Sequence, residues 1–173
     1  MSRPAGPRTP TLEGNGLRLL AVGPQHAAEM ADVLGDPSLY AFTGGSAPDA
    51  GALRDRYARQ AEGSPDPAEE WHTWVVEDVA AGRLVGFVQA TVTDHGRTAE
   101  LAWVVGVPWQ RRGLARRAAT LVLDEVRRRG VHRAVAHVRP GHRPSERVAA
   151  ALGMGPTDVE VDGETRWALD LVP

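Results

Sequence analysis

The sequence predicts a single α+β domain built on one mixed, mostly antiparallel sheet of about six or seven strands, flanked by about four helices. Two observations carry that expectation. The stretches WHTWVVE, RLVGFVQATV and AELAWVVGV follow one another with only short turns at Gly82 and Gly96 between them, the pattern of an antiparallel meander. Beyond them the apolar spacing changes from strand to helix and back, which adds further elements to the same sheet. The length of 173 residues suits one substantial core and falls short of two ordinary domains.

Each element has a local reason. Residues 1–16 hold much Pro and Gly without any period and read as a flexible tail, so the domain proper spans 17–173. Leu17, Leu19 and Ala21 alternate as a first strand, and Pro24 at a first helical turn opens a helix through about Leu34. The breaker-rich loops GDPSLYAFTGGSAPD and EGSPDPAEE bracket a second helix near residues 49–62. After the meander, Leu114, Ala115, Ala118, Leu121, Val122 and Val126 form one helical stripe over residues 113–129, which Gly130 stops. RAVAHV is a further strand. Pro144 and Ser145 open a helix that runs to Leu152, and VEVDG with ETRWALDL reads as a closing hairpin.

Composition narrows the chemistry. The formal net charge is −2, so no global field draws the chain to nucleic acid or membrane, and any cationic function is local. All 20 basic residues are arginine. That removes a P-loop lysine, a Schiff base and any lysine nucleophile, and the absence of cysteine removes disulfides and thiolate chemistry. The six histidines show no HExxH or other close ligand spacing, so no metal is expected. No apolar run approaches ~18 residues, and a cytoplasmic protein without membrane or nucleic-acid partners is the expectation. The Arg127-Arg128-Arg129 run falls at a helix C-terminus, where it complements the dipole and reads as a solvated face.

One stretch has a sharper reading. In WQRRGLARRAA an apolar strand passes through a short loop into a helix, so the first helical N–H groups lack intrahelical partners and point outward at the positive end of the dipole. Gly113 removes the Cβ that would obstruct a ligand there, and Arg111, Arg112, Arg116 and Arg117 surround the spot. Such a place favours a phosphate or pyrophosphate; the plain alternative is a turn glycine beside a solvated arginine face.

At this point the chain resembles the GNAT N-acetyltransferase superfamily. That family's Gln/Arg-x-x-Gly-x-Gly/Ala motif stands here as Gln110-Arg111-Arg112-Gly113-Leu114-Ala115. About thirty residues on, HVRPGHRPSERVAAALGM is similar to its Asn-x-x-Ala/Ser segment, with Ser145 in the small-residue place, His142 where asparagine is usual, and Leu152-Gly153-Met154 closing the helix. The opening, GLRLLAVGPQHAAEMADVLGDPSL, looks like the ribosomal-protein N-terminal acetyltransferase branch. The likeness runs from about Gly16 to Leu171.

The resemblance implies a single GNAT-like domain acting as an acetyl-CoA-dependent N-acetyltransferase, in which a primary amine attacks the donor directly within a ternary complex. It implies that backbone groups at Val105 and Val107 hold the pantetheine arm and that amides from Arg111 to Ala115 take the pyrophosphate, with Arg116 and Arg117 steering. His142 falls on the pantetheine and adenosine side. A β-bulge in the central strand, common in the family, would open the cofactor cleft.

The chemistry needs a base for the amine and a proton donor for the thiolate. Glu100, set among apolar residues in TAELAWVV, is the base candidate, partial burial tuning it; its alternative is an exposed strand-edge carboxylate. Ser145 is the acid candidate, because the family's tyrosine position is Ala149 here; its alternative is a helix N-cap. The acceptor is a protein or peptide N-terminus or a small-molecule amine. Tyr40, Phe42, Trp71, Trp74 and Trp103 are candidates for the acceptor mouth, with core packing the commoner place for such rings. A homodimer is compatible with such a domain. The competing functions are a CoA-binding module of the same fold with decayed catalysis and, more remotely, an arginine-helix nucleic-acid binder.

Overall fold

The computed structural model describes residues 8–172. The chain opens with a hairpin of β1 (Leu12–Gly14) and β2 (Leu17–Ala21), turned by Asn15 and Gly16 in left-handed conformation. The expected tail is thereby shortened. Residues 1–7 lie outside the described residues, whereas Leu12 is buried in the core and Trp74 donates its indole N–H to the Pro10 carbonyl at 2.7 Å.

A short turn at Pro24–His26 leads into α1 (Ala27–Val33), and α2 (Ala50–Glu62) follows the long early loop, capped by the Asp49 carboxylate. The meander forms as expected: β3 (Glu70–Asp78), β4 (Arg83–Thr93) and β5 (Thr98–Val105). Then come α3 (Leu114–Arg128), β6 (Arg133–Val138), α4 (Arg143–Ala151) and the hairpin β7 (Gly155–Val161) and β8 (Glu164–Asp170). The eight strands lie in the order β1-β2-β3-β4-β5-β6-β8-β7, one more than the upper expectation because β1 joins the edge. Among the described residues only β5 and β6 run parallel; every other neighbouring pair is antiparallel.

The sheet buries both faces over part of its width. On one face Trp74, Val76, Val88, Ala90, Leu101 and Ala134 pack with Leu114, Ala118, Val122 and Val126, the predicted stripe of α3. On the other, Val75 and Leu84 pack with Met30, Val33, Leu53 and Tyr57 of α1 and α2. A bulge in the β3–β4 ladder shifts register between Val76–Gly86 and Glu77–Leu84, and the freed Leu84 N–H donates to the Glu29 carboxylate of α1 at 2.8 Å.

In the arginine run at the end of α3, Arg127 and Arg128 are exposed as expected, and Arg129 departs from the solvated face. Arg129 turns inward, donating to Glu125 at 2.7 Å, to His72 Nε2 at 3.1 Å and to the Arg8 carbonyl at 3.2 Å. His72 is buried, and burial together with the Arg129 charge lowers its pKa from the ordinary imidazole value, so it meets the guanidinium as an acceptor. Its Nδ1 then lies 3.0 Å from Thr9 Oγ1, which ties the entering chain to β3 and α3.

The closest backbone approach is at Gly86, where a Cβ would lie 2.1 Å from the Val104 carbonyl oxygen. Backbone cannot swing aside as a side chain can. Gly86→Ala is therefore expected to destabilise the fold by about 2 kcal/mol or more, read as a lower urea midpoint at unchanged slope.

Candidate active site

The cleft begins where a ladder stops. β5 and β6 pair only at Thr98–Arg133, Ala99–Ala134 and Glu100–Val135; beyond Glu100 the two strands diverge. Meanwhile β5 stays in unbroken register with β4 from Thr93–Thr98 to Gly86–Val105, and β6 with β8 to Val138–Thr165. The β-bulge expected in β5 is therefore absent from its ladders, and the opening comes instead from each strand following its antiparallel neighbour.

Backbone parity decides what lines this opening. The Arg97 carbonyl accepts from His132 and Arg133 N–H on the β6 side, whereas Gly106 N–H donates to Val85 on the β4 side. Odd-numbered residues of β5 thus turn their backbone toward β6, and past the last pair those of Leu101, Trp103 and Val105 face the cleft. Gln110 donates its side-chain amide to the Val105 carbonyl at 3.0 Å, and its own N–H donates to the Val107 carbonyl at 3.2 Å. Gln110 is therefore the organiser of the strand-to-loop exit, which leaves the N–H groups of Val105 and Val107 as the free donors there.

The loop into α3 has two residues in left-handed conformation, Arg111 at φ 65° and Gly113 at φ 71°. Holding Arg111 there costs of order 1–2 kcal/mol. The arrangement aims successive N–H groups to one side. Arg117 N–H, bonded to the Gly113 carbonyl at 3.0 Å, is the first to close a helical turn, so the Leu114, Ala115 and Arg116 amides precede the ladder and are free for an anion. A Cβ on Gly113 would meet nothing within 4 Å, so the space before these amides is open. Arg112 is exposed at the same turn, while Leu114 anchors it in the core. The Arg117 guanidinium is held by the backbone, donating to the carbonyls of Asn15 at 2.7 Å and Arg112 at 3.4 Å.

α4 begins at the same end of the sheet, because β6 runs parallel to β5. His142, not Ser145, is its N-cap residue; Ser145 is the third helical residue, and its hydroxyl has no hydrogen-bond partner among the described residues. The His142 ring stacks on Phe42 of the early loop, with centroids 4.4 Å apart and planes 15° apart. Burial lowers the His142 pKa, and Glu146 opposes this. The other early aromatics divide. Trp74 belongs to the core and the partly buried Trp103 packs against it, Tyr40 donates to the Leu34 carbonyl at 2.9 Å, and Trp71 lines a small cavity of about 140 Å³ with Thr73, Gln89 and Thr91.

Glu100 stands at the apex of the cleft, on the sheet face opposite Ala99 and Leu101. It is not enclosed among apolar side chains: its carboxylate is 51% exposed and opens into a cavity of about 550 Å³. His137 Nδ1 lies 2.9 Å from its Oε1, and Arg166 Nε donates to His137 Nε2 at 3.2 Å. Neither His137 nor Arg166 stands out in the sequence. The available signal was parity, since His137 shares its face of RAVAHV with Val135, the residue that pairs with Glu100.

A family description, the acetyltransferase (GNAT) domain, matches residues 17–155. The chain belongs to the GNAT acetyltransferase family. It is an acetyltransferase. Among solved structures it is similar to a GNAT acetyltransferase from Bacillus anthracis, at 17% identity and TM-score 0.77, over 94% of this chain and 99% of that one. The ribosomal-protein-S5-alanine acetyltransferase of Vibrio fischeri shares 16% identity over 93% and 96% of the two chains, with TM-score 0.75. Spermidine N-acetyltransferase of Vibrio cholerae, solved with CoA and spermine, shares 18% identity over 91% and 97%, with TM-score 0.73. No curated protein sequence matches the chain. Among the described residues no group of side chains could hold a metal ion, and no helix is long and apolar enough to cross a membrane.

The open amides at Gly113 give a direct test of the donor site. Acetyl-CoA is expected to raise the melting temperature of the native protein, and Gly113→Glu, which puts bulk and negative charge where a pyrophosphate would lie, is expected to abolish that rise. An undiminished rise would remove the loop from the site.

Proposed function

We propose that this enzyme acetylates a single primary amine, of a protein or peptide N-terminus or a small molecule, by direct attack within a ternary complex. The observation that carries the reading is the cleft itself, with Glu100 at its apex and two helix N-termini at its mouth. In this reading, N–H groups of Val105 and Val107 hold the pantetheine arm as an added strand. Amides from Arg111 to Ala115 take the pyrophosphate, with Gln110 and Arg112 shaping the turn. His142, stacked on Phe42, closes the side toward the adenosine.

Glu100 accepts the proton that the amine loses as its nitrogen bonds to the acetyl carbon. Ser145 donates its hydroxyl proton to the sulfur as the carbon–sulfur bond breaks, aided by its place in the positive first turn of α4. Solvent restores the serine proton and removes that of Glu100. No covalent enzyme intermediate is required, in keeping with a chain that has no cysteine.

Acceptor class follows from charge. An α-amino group with pKa near 8 is roughly a tenth neutral at pH 7, whereas a lysine amine is well below 1% neutral. A half-exposed carboxylate suits the former. The cavity around Glu100 pairs two carboxylates, Glu100 and Asp158, with two arginines, Arg133 and Arg166. A polyamine needs a surplus of carboxylates, which this lining does not provide.

An acetyl-CoA consumption assay over peptide N-termini, small monoamines, aminoglycosides and spermidine tests the reading. Monoamines are expected to turn over at least tenfold faster per unit kcat/KM than spermidine; binding of acetyl-CoA with no turnover across the panel would identify the decayed module instead. Separately, Glu100→Gln is expected to lower kcat about a hundredfold with acetyl-CoA affinity preserved. Full activity of that variant at neutral pH would remove Glu100 as the base.

A further inference from the structure

We propose that His137 and Arg166 are positioning residues that hold the Glu100 carboxylate in its working orientation. This rests on Glu100 as the base. Glu100 projects from β5 into an open cavity, where a glutamate with three side-chain torsions would otherwise sample many directions. A single contact fixes it, the 2.9 Å bond between its Oε1 and His137 Nδ1 from the neighbouring strand β6.

The third partner decides which nitrogen carries the proton. Arg166 Nε can only donate, so His137 Nε2, 3.2 Å away, presents its lone pair, and the imidazole proton lies on Nδ1, pointing at Glu100. The three groups come from three adjacent strands. Val135 pairs with Glu100 and His137 pairs with Arg166, so the sheet register itself sets the order carboxylate, imidazole, guanidinium. The imidazole is only 12% exposed, against 51% for the carboxylate it holds.

One oxygen of Glu100 is thereby committed to His137 while Oε2 remains for the incoming amine or an intervening water. Because both nitrogens of His137 are engaged, it does not itself remove the substrate proton. Thr157 Oγ1 donates to the Arg166 carbonyl at 2.8 Å, in the segment where β7 breaks register between Pro156 and Glu160, and this ties the far end of the relay to the backbone. The charged groups facing the relay are Arg133 of β6, Asp158 of β7 and Arg166 of β8.

The test compares His137→Ala, His137→Asn and Arg166→Leu in the native and Glu100→Gln backgrounds, with peptide amine and acetyl-CoA as substrates. His137→Ala is expected to lower kcat by about tenfold to a hundredfold with the acetyl-CoA KM unchanged, the scale of loss for a misplaced catalytic group. His137→Asn, whose amide N–H occupies the Nδ1 position, should recover most of the rate, and Arg166→Leu, which frees the tautomer, should fall between.

In the Glu100→Gln background, His137→Ala should have no further effect on the residual rate. Wild-type kcat in His137→Ala, or an equal loss in both backgrounds, overturns the positioning role while leaving Glu100 as base intact. Full activity of Glu100→Gln overturns both together. A His137→Asn variant that folds, by its melting curve, yet shows no recovery also counts against the donor role.

Discussion

Parallel strands cannot be joined by a tight turn, so the pairing of β5 with β6 obliges the chain to cross back through α3. That one requirement places the starts of α3 and α4 at the same end of the sheet. The parallel ladder is only three pairs long, and each strand then follows a longer antiparallel ladder on its outer side. Divergence is the geometric result: a wedge with free strand edge on one side and two positive helix termini at its mouth. Ligands in open sheets collect at such a place because the backbone donors there are unspent.

Glu100 belongs to the same constraint. It is the last residue of β5 to pair with β6, so its side chain stands where the sheet is still rigid and the neighbouring space has just opened. The early loop reaches this region from the opposite side, through the stack of Phe42 on His142. Far from it, the network of Thr9, His72, Arg129 and Glu125 secures the opposite end of α3. The helix whose N-terminus opens at the cleft mouth is therefore held by polar contacts at its other end.

Much of this was legible in the sequence because periodicity and breakers are local. The strand RAVAHV and the stripe from Leu114 to Val126 required only spacing, and Gly113 marked by identity the place where no Cβ stands before the helix. What the sequence hid was pairing between distant segments. Leu12 looked like tail because three residues between prolines and glycines carry no period; only Leu19 across the hairpin makes them a strand. Glu100 reads as embedded among apolar neighbours, yet alternation sends it to the open face while Ala99 and Leu101 go inward. His137 and Arg166 were invisible for the same reason: their meaning lies in strand register, which no single stretch records. Arg129 is a fourth case, a cation in a run of three whose partners come from residues 8 and 72.

The cations at the cleft mouth have one further consequence. Arg111 and Arg112 present guanidinium groups at the turn into α3, and the rest of the chain likewise contains no lysine. A guanidinium stays protonated at any physiological pH and offers no free amine to an acyl donor. A surface whose cations are all guanidinium groups is thus chemically silent toward an activated thioester, and no side chain of this chain can be consumed as an ε-amine acceptor.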